Sequence, residues 1–120
     1  MNANRDTDRG TAALRKLQTR EFLERSIDEV EQMRRSVPQL IKGDPATWQE
    51  VRFCAQRMAA TARQFDFGVL GACAEELAVL TEERFAGAKL SERFLLNVTT
   101  AIEAVALELN QLEIMQRAPR

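Results

Sequence analysis

A chain of 120 residues has room for a single domain with a real core, and 45% apolar with 29% charged residues is the balance of a globular chain, not a disordered one. Lys and Arg total 17 against 18 Asp and Glu, a formal charge of −1, so no electrostatic footprint for nucleic acid or anionic lipid is present. The chain has no histidine, which removes the usual general base, and its two cysteines, Cys54 and Cys73, are too few for a zinc site. They are also too far apart in sequence for a redox pair. No apolar run approaches the roughly 18 residues that span a bilayer. The polar start, Met1 to Gly10, lacks the apolar core of a signal peptide. A cytoplasmic location with both thiols free is therefore expected. Ala, Leu, Glu, Arg and Gln dominate, all good helix formers.

Taken in order, residues 1–10 read as a polar, disordered arm. They belong to a mildly basic stretch with Arg5, Arg9, Arg15, Lys16, Arg20 and Arg25 set against Asp6, Asp8, Glu21 and Glu24. From Thr11 the pattern is helical, with Ala12, Ala13, Leu14 and Leu17 forming a short leading helix. A longer helix carries Leu23, Ile27, Val30, Met33, Val37 and Leu40 on one stripe, and Pro38 is expected to kink it near its end. Lys42-Gly43-Asp44-Pro45 is the clearest punctuation: Gly43 closes one helix, Asp44 caps the next, and Pro45 takes its first position. The second long helix shows Trp48, Val51, Ala55, Met58, Ala62 and Phe65. Phe65-Asp66-Phe67-Gly68 interrupts, with Asp66 expected to cap a third helix that bears Leu70, Cys73, Leu77 and Leu80. Ser91 caps a fourth, Glu92 favours its dipole, and Leu95, Val98, Ile102, Val105, Leu109 and Leu112 form its apolar stripe. Short connections between amphipathic helices predict an all-α, antiparallel four-helix bundle over residues 11–116, with 117–120 a flexible tail. The two cysteines read as small core residues.

On a helix turning about 100° per residue, the stripe from Trp48 to Phe65 fixes the buried direction. Phe53, Gln56 and Ala60 then face outward, flanked by Ala59, Arg63 and Gln64. An outward Phe beside small Ala residues suits a docking patch, because small side chains let another protein approach closely. Two plainer readings compete. Residues 11–20 could fold over Phe53 and bury it within the chain, or Phe53 is one of the scattered exposed aromatics that need no explanation. Ala59 and Ala60 could equally serve helix propensity alone.

Residues 52–70 read RFCAQRMAATARQFDFGVL. Ala55, Met58, Thr61, Ala62, Phe65, Phe67 and Leu70 fall where the central segment of histidine phosphotransfer (HPt) domains places its structural residues, and the segment resembles that family. Gly43-Asp44 resembles the family's upstream loop, although it lies farther from the motif than is common. Cys73-Ala74-Glu75-Glu76-Leu77 is similar to the family's next helix, so the resemblance covers about residues 20 to 112. The chemically committed positions depart from the pattern. The phosphoacceptor histidine is replaced by Gln56, the following lysine by Ala59 and the glycine after it by Ala60. A glutamine amide is not nucleophilic and forms no stable phosphoramidate.

The resemblance thus implies a pseudo-HPt domain, a non-catalytic module of two-component signalling without a cofactor or metal. Its implied partner is a response-regulator receiver domain or a histidine kinase, docked through Phe53, Gln56, Ala59, Ala60, Arg63 and Gln64. The competing expectation is a structural bundle whose apolar surface, Phe53 or the first helix, serves self-association; a third is a degenerate relic without a partner. The acidic pairs Glu75-Glu76 and Glu82-Glu83 diverge around their helix and read as solvated faces, not as acid/base couples. No glycine-rich phosphate loop is present, so an enzyme is not expected.

Overall fold

The computed structural model describes residues 2–117, with side chains from Arg9 onward. The regular structure among them is helical: α1 (Asn2–Arg35), α2 (Val37–Ile41), α3 (Pro45–Gln64), α4 (Gly68–Phe85) and α5 (Glu92–Arg117). The leading helix and the longer one expected after it are a single helix, α1. Its backbone runs through residues 2–10, which composition alone set apart as a disordered arm. Helix propagation adds a hydrogen bond for each residue fixed, and no proline interrupts this stretch. The expected C-terminal tail lies, beyond Arg117, outside the described residues.

The kink expected at Pro38 is a complete break placed two residues earlier. Ser36 Oγ donates to the Met33 carbonyl at 2.8 Å, and the Ser36 amide is shared between the Gln32 and Met33 carbonyls. Pro38 then occupies the second position of α2, where a missing N–H leaves no bond unmade.

Three helix ends share one geometry. At the end of α2, the Gly43 amide donates to the Leu40 carbonyl and the Asp44 amide to that of Gln39, with Gly43 at φ +78°. At the end of α4, Gly87 at φ +106° bonds to Arg84 O and Ala88 to Glu83 O. These are Schellman closures, whose left-handed residue favours glycine. The third, at the end of α3, uses Asp66 at φ 62°: its amide donates to Arg63 O at 3.2 Å and that of Phe67 to Ala62 O at 2.9 Å. Asp66 therefore closes α3 and does not cap α4, whose N-cap, Phe67, makes no side-chain bond.

A left-handed β-carbon costs about 1 kcal/mol. Asp66→Gly is accordingly expected to stabilise the fold by roughly that amount, read as a raised urea midpoint. The Asp66 contact with Arg15 is long, at 3.9 Å, and the carboxylate is fully solvated, so its loss offsets little. The other two caps form as expected. Asp44 Oδ2 accepts from the Thr47 amide at 3.3 Å and its hydroxyl at 2.5 Å, and Ser91 Oγ accepts from the Phe94 amide at 3.1 Å.

The apolar stripes meet in one core. Leu40, Trp48, Met58, Leu70, Leu77, Ile102 and Leu109 are all at or below 2% exposure. Helix α3 packs on α4, α4 on α5 and α5 on α1, with a thinner seam between α1 and α3. Arg34 of α1 grips Glu103 of α5 with two parallel bonds, of 2.9 and 2.5 Å. That pairing holds the Glu103 carboxyl below its ordinary range. Across the α1–α3 seam, Phe22 stacks on Phe65 at 5.4 Å and Arg57 pairs with Glu29 at 2.7 Å.

Candidate functional site

Helix α3 carries the candidate face, and α4 supplies its second wall. Phe53 is 56% exposed, and Gln56, Ala60, Arg63 and Gln64 are exposed as the helical periodicity predicts. Ala59 is the exception and a correction. It is 5% exposed, turned into the α3–α4 seam. The reason sits on α4, where Gly71 has no β-carbon: one built there would stand 3.5 Å from the Ala59 carbonyl and 3.2 Å from Arg63 Cγ. The two backbones approach closely at this point, and Ala59 is part of the packing and not of any docking surface.

Residues 11–20 do not fold over Phe53. Arg15 reaches the opposite end of α3, where Nη2 donates to the Gln64 carbonyl at 2.6 Å and the guanidinium lies 5.1 Å from the Phe65 ring centroid. Orphan carbonyls at a helix C-terminus attract such a cation. The backbone of Gln64 is thus committed to the α1–α3 joint, while Phe53 stays open.

Gln56 is exposed yet held. Its Nε2 donates to Glu82 Oε1 on α4 at 2.9 Å. Arg52 Nε approaches the same oxygen to 2.6 Å as an ion pair, but its N–H is out of line for a hydrogen bond and finds no other acceptor. The Arg52 guanidinium also lies over Phe85, 5.0 Å from the ring centroid. One helical segment away, Arg63 pairs with Glu75 of α4. The pairs Arg52–Glu82 and Arg63–Glu75 run in opposite chain directions, which fixes α3 and α4 as antiparallel neighbours.

Glu75 and Glu82 are therefore cross-helix partners and not merely solvated charges, as the sequence alone had them. A signal was available: acids seven residues apart on one helix match Arg52, Gln56 and Arg63 on the other once the two are antiparallel. Val79, 50% exposed, adds an apolar side chain to the α4 wall.

The arrangement presents a neutral amide, an open aromatic ring, small side chains and matched ion pairs. Both thiols are half-buried against the core. Burial pushes Cys54 up, with Glu29 adding to it, and burial followed by Glu108 does the same for Cys73. Both then remain protonated at neutral pH, the weakly nucleophilic form. Among the described residues no group of His, Cys, Asp or Glu is arranged to hold a metal, and no helix is long and apolar enough to cross a membrane.

No family model, no curated protein and no solved structure matches this chain.

Proposed function

We propose that this chain is a non-catalytic binding module of two-component phosphorelay signalling: a cytoplasmic pseudo-HPt domain, not an enzyme, built as an antiparallel four-helix bundle from α1, α3, α4 and α5. It docks a response-regulator receiver domain or a histidine kinase through the outer face of α3 and takes no phosphate. The observation that carries this reading is the setting of Gln56. It occupies the position that aligns with the family's phosphoacceptor, it faces outward between the exposed Phe53 and Ala60, and its amide is engaged by Glu82. Antiparallel contacts at α3–α4 and the Arg34–Glu103 link between α1 and α5 support the bundle assignment. A bound partner would be competed for, sequestered or bridged, with no covalent step.

Restoring the lost chemistry tests the geometry. Ala59 is packed in the α3–α4 seam, so a lysine there is not tolerated, and the restoration is confined to Gln56→His with Ala60→Gly. The double variant is expected to acquire acid-labile phosphate from a phosphorylated receiver or kinase, while wild type remains unlabelled. Folded but unlabelled double variant, presented with each purified receiver and kinase of the source genome, would sink the assignment.

The second reading, a self-associating bundle, draws on α5. Leu96, Leu107 and Ile114 are 60% exposed or more and share its outer face. Light scattering separates the two: a monomer at all concentrations removes the support for self-association.

A further inference from the structure

The charge arrangement around Gln56 bears on which state of a receiver this face accepts, and it rests on the reading above with a receiver as partner. A glutamine side chain has an N–H2 that only donates and an oxygen that only accepts. Because the group facing Gln56 is the Glu82 carboxylate, the N–H2 must turn inward to it, at 2.9 Å, and the amide oxygen must turn away. That oxygen has no protein partner among the described residues. A donor bonded to a carboxylate polarises the rest of its amide, so the outward oxygen becomes a stronger acceptor. Phe53, one turn earlier on the same exposed side, adds an open aromatic ring, with the two Cβ atoms about 5–6 Å apart.

Both features favour a cationic donor, the amide oxygen by hydrogen bonding and the ring by its negative face. Among the described residues, no cation of α3 is without an ion-pair partner to offer an anion. All three arginines of α3 are already paired: Arg52 with Glu82, Arg57 with Glu29 and Arg63 with Glu75. A phosphoryl group brought to Gln56 would meet an acceptor backed by one carboxylate, with a second at Glu75. Recruiting Arg52 or Arg63 to it would release Glu82 or Glu75 beside the new negative charge.

We infer that this face receives a basic side chain and rejects a phosphoryl group, so that the module engages its receiver in the unphosphorylated state. Gln56, held by Glu82, is the residue that sets the preference. Like charges set against one another across an interface cost enough for at least about a tenfold difference in affinity.

The test is titration calorimetry of the full chain with each purified receiver domain of the source genome, free and loaded with beryllofluoride as a stable mimic of its phosphorylated state. Wild type is expected to bind the free form at least about tenfold more tightly. Gln56→Lys, which replaces the outward acceptor by a cation, is expected to bind the loaded form as well as the free form or better. Equal or tighter binding of the loaded form by wild type would overturn the inference while leaving the docking function standing. A preference that survives in Gln56→Lys would remove Gln56 from the role. Binding to no receiver in either state would bring down the inference and the receiver reading together.

Discussion

Trp48→Ala is expected to remove about 3–5 kcal/mol of stability, which is a large part of the total for a domain of this size. Trp48 is 1% exposed and stacks on Phe94 of α5, with ring centroids 6.0 Å apart. Its indole N–H also donates to the Leu40 carbonyl of α2 at 3.1 Å. One side chain therefore ties α2, α3 and α5, and its removal leaves a cavity and takes one of the hydrogen bonds from the Leu40 carbonyl, which keeps that of the Gly43 amide. Circular dichroism during urea unfolding measures the loss. Trp48→Phe keeps an aromatic ring and most of the volume but loses the N–H, so it is expected to fall between wild type and Ala. A Trp48→Ala protein as stable as wild type would show that the core does not close around this residue.

Ala60→Arg and Ala59→Arg are neighbours in sequence with opposite expected outcomes. Ala60 is exposed, so the arginine there projects into solvent and stability should stay within about 0.5 kcal/mol of wild type. On the proposed function, binding of a receiver or kinase should fall at least about a hundredfold, because a long charged side chain would then occupy the proposed site of closest approach. Ala59→Arg forces the same side chain into the seam where Gly71 brings α4 against α3, and should cost about 3 kcal/mol or more through overpacking and charge burial. A folded Ala60→Arg protein with undiminished affinity for its partner would move the interface off α3. A fully stable Ala59→Arg protein would contradict the closeness of the α3–α4 contact.

The helical periodicity was legible because burial and spacing are linked by simple geometry. Leu23, Val30, Met33, Trp48, Val51, Met58, Leu77, Ile102 and Leu109 were all placed on apolar stripes, and all are buried. Gly43, Asp44, Pro45 and Ser91 were legible for another reason: each satisfies a local backbone requirement that does not depend on distant residues. The errors lie where two local rules compete or where a second helix decides. Asp66 is a good N-cap by type and a tolerable left-handed residue by shape; the chain uses the second property. Ala59 sits at the edge of the helical stripe, and angle alone cannot say how close the neighbouring helix comes.

The amino-acid sequence by itself determined that this protein is helical, that its apolar stripes point inward, and that a glutamine at position 56 cannot carry a phosphoryl group, since these follow from residue chemistry and a fixed turn per residue. The tertiary structure alone decided that Ala59 is packed away, that Phe53 stays uncovered while Arg15 goes to the end of α3, and that Glu82 holds the Gln56 amide. Those facts depend on how helices far apart in the chain meet: the missing β-carbon at Gly71 leaves no periodic mark on either helix, and the charges that match across the α3–α4 seam are read as partners only once the helices are set antiparallel.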